Sequence, residues 1–148
     1  MKVRGTSTSK GRKGVSDRAV NAFVREVFRF LGYPPRTTVV VTFLPNAVLR
    51  RLKKTHLGKD VAFVDVLAFP EPERFPHPET KGRMLGEVYL NEAFRANPKE
   101  LARMLIHGLV HLMGYLHETK RDTILMERLE KRLGEHVRIR GEHIRFGA

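Results

Sequence analysis

Two kinds of hydrophobic pattern alternate along this chain, and their order constrains the fold more than any other feature of the sequence. Residues 37–44 (TTVVVTFL) form a continuous β-branched run, which is typical of a buried strand. The segment before this run instead repeats apolar residues at helical spacing: Val20, Phe23, Val24, Val27, Phe30 and Leu31. A chain that mixes the two patterns is expected to pack helices against a sheet.

Both patterns recur further along the chain. Additional strands are predicted at residues 2–5, 61–69 and 84–91. Additional helices are predicted from about residues 45 to 55, 98 to 113 and 120 to 133. The resulting order, β α β α β β α α, predicts an α+β fold in which helices pack around one small mixed β-sheet.

Residues with special backbone preferences mark several boundaries. Ser16 is placed to cap the first helix, and Gly32 is placed to end it. Gly86 indicates a β-bulge in its strand, and the proline-rich residues 71–82 indicate a surface loop. In the last helix we expect the buried stripe to consist of Ile124, Leu125, Leu129 and Leu133.

Length and composition indicate one domain. With 148 residues, 41% of them hydrophobic, the chain can bury one substantial core, so residues 1–148 are expected to form a single domain. Residues 6–14 are expected to be a flexible basic segment, and residues 134–148 a basic tail that is either a strand or a loose end. The sequence has no apolar run of about 20 residues and no secretory signal, which favours the cytoplasm.

The charge balance indicates a polyanionic partner. The chain has 28 Lys and Arg residues against 16 Asp and Glu residues, a formal net charge of +12. Such an excess attracts RNA, although a surface that is merely basic throughout has the same composition. The second predicted helix has a basic outer face that is either an RNA contact or an ordinary solvated surface: Arg50, Arg51, Lys53 and Lys54. No basic helix with an aromatic insertion face indicates a membrane.

Residues 107–117 carry the pattern HxxxHxxGxxH, which is the strongest indication of chemistry in the sequence. Four residues turn an α-helix through about 400°, so His107 and His111 project from one face and can share a metal ion. Gly114 can adopt the left-handed conformation that ends a helix, which would bring His117 round as a third ligand. Because the chain has no cysteine, a metal site must use His, Asp or Glu.

Three imidazole ligands are typical of a catalytic zinc site. They leave the fourth tetrahedral position open to water, and zinc lowers the pKa of a bound water toward neutrality. The alternative is a hydrogen-bonded histidine cluster without an ion. The remaining histidines have no comparable spacing and are expected to be solvated: His56, His77, His136 and His143.

The pattern is also similar to the HExxHxxGxxH signature of metzincin peptidases, with a difference at its second position. In those enzymes a glutamate beside the first histidine is the general base, and here that position is Gly108. Glu118 could take its place only if the helix exit directed the side chain inward; otherwise it is a first-turn charge of the last helix. A peptidase therefore stands as a lesser alternative.

Residues 107–117 (HGLVHLMGYLH) further resemble the HGxLHLxGYDH signature of the YbeY endoribonucleases, also called rRNA maturation factors. Upstream, residues 64–70 (VDVLAFP) are similar to the TDVLSFP strand of that family. Residues 86–90 (GEVYL) are similar to its GDIxI strand. The resemblance covers about residues 35–133 and is most specific in the C-terminal half.

The resemblance implies a mixed sheet with surrounding helices and a zinc ion bound by His107, His111 and His117. It also implies cleavage of single-stranded RNA, maturation of the 3′ end of 16S rRNA and a part in ribosome quality control. The implied partners are rRNA, the small ribosomal subunit and its assembly factors, with neither a membrane nor DNA expected. The alternative from another class is a non-catalytic, zinc-containing factor for ribosome assembly.

Several positions depart from the family pattern near the proposed site. Leu116 stands where the family has an aspartate, and Leu57 where it has an arginine that is thought to contact the RNA phosphate. A guanidinium there would stabilise developing negative charge, so the change concerns cleavage more than metal binding. Beyond metal-bound water, no catalytic group is assigned from the sequence. Four nearby basic residues either compensate for this change or are ordinary surface charges: Lys53, Lys54, Lys59 and Arg83.

Overall fold

The computed structural model of the chain describes residues 2–4, 14–71, 84–114, 119–139 and 142–143. Its strands are β1 (Lys2–Arg4), β2 (Thr38–Leu44), β3 (Val66–Pro70), β4 (Met84–Asn91), β5 (Arg138–Ile139) and β6 (Glu142–His143). Its α-helices are α1 (Asp17–Phe30), α2 (Asn46–Leu57), α3 (Pro98–Leu112) and α4 (Lys120–His136), and a 3-10 turn, Glu92–Ala96, precedes α3. The predicted order of elements is confirmed as far as α4.

The main sheet is mixed, as predicted. Its strand order is β1-β2-β4-β3, in which β1, β2 and β4 are parallel and β3 is antiparallel to β4. A separate two-stranded ladder joins β5 to β6. In the described residues, these sheets and the four α-helices form the α+β class that the sequence predicts. None of the described helices has the length and hydrophobicity of a membrane span.

Helices cover both faces of the sheet, and alternate residues of each strand point to the two cores. Val41 of β2 and Val88 of β4 are buried in the larger core, together with apolar residues of α1, α3 and α4. Leu67 of β3 faces the other way and packs with Leu49 of α2 in a smaller core. The helices α1, α3 and α4 therefore share one face, and α2 covers part of the other.

The predicted caps and the bulge are confirmed. Ser16 accepts a hydrogen bond from the backbone N–H of Ala19 at 3.1 Å, which begins α1. The register between β2 and β4 shifts next to Gly86, whose φ is 142°. A Cβ at Gly86 would lie 2.3 Å from the carbonyl oxygen of Phe69, so only glycine fits this bulge without displacement of the backbone.

The strand predicted at residues 61–69 is wrong in its first half, because β3 begins only at Val66. Two asparagine side chains take the place of a strand neighbour there. Asn46 accepts from the N–H of Val64 at 3.0 Å and donates to the carbonyl of Ala62 at 2.9 Å. Asn91 donates to the carbonyl of Val64 at 3.1 Å. The backbone of residues 62–64 is thus hydrogen-bonded without a ladder.

Three helix predictions also need correction. Helix α2 ends at Leu57 rather than near residue 55, followed by Gly58 in the left-handed conformation. Helix α4 continues to His136, so the first residues of the expected tail are helical and the next ones form β5. The buried stripe of α4 contains Met126 and Leu133, whereas Ile124 and Leu125 are each 40% exposed. The expected flexible residues 6–13 and the loop at residues 72–82 lie outside the described residues.

Candidate metal centre

Helix α3 is held against the sheet by a glycine on its inner face. A Cβ at Gly108 would lie 2.9 Å from Cγ1 of Val88 and 3.1 Å from Cγ2 of Val66, so the helix backbone lies directly on β4 and β3 there. Successive residues of a helix are rotated by about 100°. The neighbouring His107 is therefore directed away from the sheet, toward α4.

The two histidines of α3 converge, as their spacing predicts. Their Nε2 atoms are 3.1 Å apart, with ring centroids separated by 4.6 Å and ring planes at 84°. Both side chains are partly exposed. A cation in contact with both nitrogens would therefore remain reachable from solvent.

A carboxylate on α4 holds the first of these rings. Nδ1 of His107 donates to Oε1 of Glu130 at 2.9 Å. An ionised carboxylate can only accept a hydrogen bond, so the proton of the neutral ring is on Nδ1. The lone pair of the neutral ring is then on Nε2, the atom that faces His111. A carboxylate on the outer nitrogen is the usual arrangement for a metal-binding histidine.

Glu130 is not among the site residues predicted from the sequence, although its spacing along α4 indicates that it faces inward. Met126, Leu129, Glu130 and Leu133 have the i, i+3, i+4, i+7 spacing of one helix face. The side chain of Glu130 is only 13% exposed, which confirms that it lies on the inner face of α4. A carboxylate on an otherwise apolar helix face needs a buried polar partner, and His107 is that partner.

The residues present fit a zinc ion. Two nitrogens at about 2.0–2.1 Å from a tetrahedral zinc lie about 3.3 Å apart, close to the 3.1 Å observed. The same distance suits a hydrogen bond from Nε2–H of His111 to His107, so the cluster without an ion also has a satisfied geometry. No group of three or more ligands is found among the described residues, and the predicted third ligand, His117, lies outside them.

The turn that the motif requires is present at the end of α3. Helix α3 ends at Leu112, with Met113 as its C-cap, and Gly114 follows with φ of 98°. This is the left-handed conformation expected from the sequence. It directs the chain away from the helix axis just before residues 115–118, which include Leu116, His117 and Glu118 and are outside the description.

The position of the missing family arginine is at the surface. Leu57 is the last residue of α2 and is 51% exposed. Among the described residues near it, Lys54 and Lys59 are also exposed and Lys53 is partly so, and none of these lysines forms an ion pair there. Arg83 lies outside the description. The lysines therefore remain available as cations, without a contact that assigns one of them to the site.

Two of the other histidines are exposed, as predicted, and each also contacts a phenylalanine. His56 approaches the edge of Phe69 with ring centroids 5.7 Å apart. His136 stacks on Phe30 at 4.7 Å. His77 and the side chain of His143 lie outside the described residues.

Comparison with known proteins gives a consistent family. Residues 6–138 match the family model of Endoribonuclease YbeY. The chain is 25% identical over 138 residues to an Endoribonuclease YbeY from Persephonella marina, covering 86% of this chain and 88% of that one. It is 30% identical over 136 residues to one from Chelativorans sp., covering 86% and 80%. Some relatives are longer, and the chain spans 34% of the one from Myxococcus xanthus. A solution structure from Thermotoga maritima is similar at a TM-score of 0.49 and 21% identity, over 89% of this chain and 87% of that one.

Proposed function

This chain belongs to the Endoribonuclease YbeY family, and from that membership we propose that it is a zinc-dependent endoribonuclease specific for single strands. Its proposed substrate is rRNA, with maturation of the 3′ end of 16S rRNA and ribosome quality control as its tasks in the cytoplasm. The proposed partners are the small ribosomal subunit and its assembly factors.

The observation that carries the proposal is the contact chain from Glu130 through His107 to His111. Glu130 fixes the proton of His107 on Nδ1, and Nε2 of His107 faces Nε2 of His111 at 3.1 Å. With its proton on Nδ1, His107 directs the Nε2 lone pair toward His111, and a carboxylate on the outer nitrogen is the usual support of a metal-binding histidine. His117, three residues after the left-handed Gly114, is the proposed third ligand.

We assign the roles of the chain's own residues in this proposal as follows. His107, His111 and His117 hold the ion, and Glu130 keeps the ring of His107 in the ligating orientation. Zinc in such a site supplies a Lewis acid for a phosphoryl oxygen and an activated water for attack on phosphorus. The basic surface, with its net charge of +12, draws the RNA backbone to the site.

The structure argues against the peptidase alternative. A glutamate at position 108 would be the general base of that mechanism, but this position faces the sheet and has no room even for a Cβ without displacement of Val88. The motif here is therefore adapted to close packing of α3 on β3 and β4. The basic composition also suits a polyanionic substrate better than a polypeptide.

One observation favours a second candidate, a zinc-containing assembly factor that binds RNA without cutting it. The exposed end of α2 carries Leu57 where the family has an arginine. An apolar side chain there cannot stabilise the negative charge that develops on the phosphate during cleavage. Binding through the remaining basic surface would be unaffected by this change.

The test separates metal binding, RNA binding and cleavage. We expect purified protein to contain about one zinc per chain and to cut a single-stranded RNA oligonucleotide but not its duplex. The His107→Ala/His111→Ala/His117→Ala variant should lose both the metal and the cleavage. His56→Ala, an exposed histidine away from α3, is the matched control and should keep both.

Each alternative has its own outcome. Zinc content with RNA binding but no cleavage, in wild type and His111→Ala alike, would replace the nuclease by the assembly factor. A metal-free wild type that remains metal-free after incubation with zinc would contradict the metal site. Casein cleavage that a chelator abolishes would restore the peptidase.

A further inference from the structure

A cavity of about 550 Å³ lies at the junction of the end of α1, the loop that follows it and the start of β2. Its lining includes three arginines, Arg25, Arg29 and Arg36, which come from the helix and the loop. Tyr33 and Thr37 line it as well. None of these residues belongs to the candidate metal centre, so the cavity is a separate feature of the fold.

The cavity has an unbalanced positive charge. The side chains of Arg25, Arg29 and Arg36 are exposed, and none is ion-paired with a carboxylate among the residues that the structure describes. Each guanidinium therefore keeps its planar set of donors for another group. Such a set matches the oxygen atoms of a phosphate.

A buried hydroxyl in the same lining has no partner. Thr37 is 5% exposed, and its Oγ1 has no hydrogen bond within the described part of the chain. Its backbone N–H is already used in a bond to the carbonyl of Pro34 at 3.0 Å, so the loop geometry explains the position of Thr37 but not its hydroxyl. A buried hydroxyl without a partner costs free energy, but this oxygen is enclosed by protein atoms and is not within reach of a ligand in the cavity.

The lining also includes an aromatic pair. The rings of Phe28 and Tyr33 lie 5.7 Å apart at 58°, with Phe28 buried and Tyr33 partly exposed. The buried ring supports the exposed one in a fixed orientation. A supported ring next to arginines is the usual platform for an unstacked base.

We propose that this cavity binds one nucleotide of single-stranded RNA, with its phosphate on the arginines and its base against Tyr33. The inference rests on the proposed function, because it makes the cavity a subsite for the same substrate outside the metal centre.

The cavity and the candidate metal centre lie at the same end of the sheet, so one RNA strand can reach both. The strands β2 and β4 are parallel, and Thr38 pairs with Met84 at their start. Helix α3 follows β4 through one short turn and lies on Val88 with Gly108. Its later residue His111 therefore lies toward the end of the sheet where β2 and β4 begin, and the cavity opens at that same end.

The test measures RNA binding without cleavage. A fluorescent single-stranded oligonucleotide with 2′-O-methyl groups is titrated with the protein, and the affinity is followed by anisotropy over a range of salt concentrations. A denaturing gel after each titration checks that the oligonucleotide is intact. Arg29→Ala/Arg36→Ala removes two cavity charges. Its control, Arg18→Ala/Arg128→Ala, removes two exposed arginines elsewhere and leaves the net charge equal to that of the first variant.

The two double variants are expected to differ. The cavity variant should bind at least about 10-fold more weakly, and its slope of log affinity against log salt should fall by about 1.4, which is 0.7 for each lost phosphate contact. The control should stay within about 3-fold of wild type. Equal losses in both variants would show only a general effect of net charge and would overturn the inference.

Two further variants keep the charge constant. Tyr33→Leu should weaken binding about 5-fold or more through loss of stacking. Thr37→Val removes the enclosed hydroxyl at nearly constant shape, so RNA affinity should stay within about 2-fold of wild type while the unfolding midpoint stays equal or rises. Wild-type affinity in Tyr33→Leu would contradict the subsite.

Measurements of both cleavage and binding distinguish a failure of this inference from a failure of the proposed function. His111→Ala should abolish cleavage of ordinary RNA and leave binding of the methylated strand unchanged. If the wild type cleaves and the cavity variants cleave and bind as well as it does, the subsite fails and the nuclease stands. If the wild type binds through the cavity but does not cleave, the nuclease fails and the subsite stands. Displacement of the strand by adenosine monophosphate at equal concentration would assign the cavity to a free nucleotide instead.

Discussion

His107 has a defined partner for each of its two ring nitrogens. Nδ1 donates to Glu130, and Nε2 faces Nε2 of His111. The HxxxH spacing alone predicts the second contact, because it depends only on helix geometry within α3. The first contact depends on how α4 packs on α3, which is a tertiary property that no local pattern determines.

The Glu130 carboxylate should matter for metal affinity more than for folding. In Glu130→Gln the amide oxygen can still accept from Nδ1 of His107, but the bond is no longer charge-assisted. We expect zinc affinity to fall about 10- to 100-fold, measured by competition with a chromophoric chelator. The far-UV circular dichroism should not change.

The control for this prediction is on the same helix. Glu127→Gln removes an equal charge at an exposed position three residues earlier and should leave zinc affinity within about 2-fold of wild type. Similar losses in both variants would mean that the effect is long-range charge rather than the bond to His107.

At the level of elements, the sequence predicts the positions of helices and strands better than it predicts what each of them packs against. The helices and the strand β4 appear where their patterns place them, since periodicity of 3.6 or 2 is a local property. The strand predicted at residues 61–65 is absent because Asn46 and Asn91, which are 18 and 27 residues from Val64, bind its backbone N–H and carbonyl in place of a neighbouring strand. Side-chain partners at such separations leave no trace in the run itself.

The position of helix α4 was predicted correctly, but its buried face was only partly so. Packing on α3 and α1 buries Leu133 completely, as predicted, and also Met126, which the predicted stripe lacks. The strongly hydrophobic Ile124 and Leu125 were wrongly included in that stripe, since each is 40% exposed. The inner face of α4 includes Glu130, so the error in the stripe and the missed carboxylate have one origin.

The corrected stripe can be checked by stability. Met126→Ala leaves a cavity in the larger core and should lower the free energy of unfolding by about 2–5 kcal/mol. Ile124→Ala removes a side chain that is 40% exposed and should cost less than about 1 kcal/mol. Urea denaturation followed by circular dichroism measures both. A larger loss for Ile124→Ala would mean that α4 is rotated relative to the arrangement described.

At the scale of the whole molecule, the basic residues are spread over the surface, whereas the candidate metal centre is confined to one face of the sheet. The net charge of +12 is spread over helices on both faces of the sheet, including exposed arginines of α1 and α2. The histidine pair of α3, the candidate metal centre, lies on one face only. We therefore expect affinity for RNA and the position of the cut to depend on different parts of the surface.

This separation predicts a salt dependence that is independent of the metal site. Log affinity for single-stranded RNA should fall linearly with log salt, with a slope between about −2 and −4, which corresponds to about three to six neutralised phosphates. His111→Ala should give the same slope as wild type in anisotropy titrations. A slope that changes with this substitution would place the metal centre itself among the main sources of affinity.

The order of α3 and α4 along the chain also has a consequence for biosynthesis. Translation completes α3, with both imidazoles, before it reaches the α4 residue that holds the ring of His107. A nascent chain at that stage contains the histidine pair but lacks the acceptor for Nδ1. For the proposed metal site we therefore expect tight capture of an ion only late in synthesis, so a ribosome-bound intermediate that ends before Glu130 should compete poorly for scarce zinc.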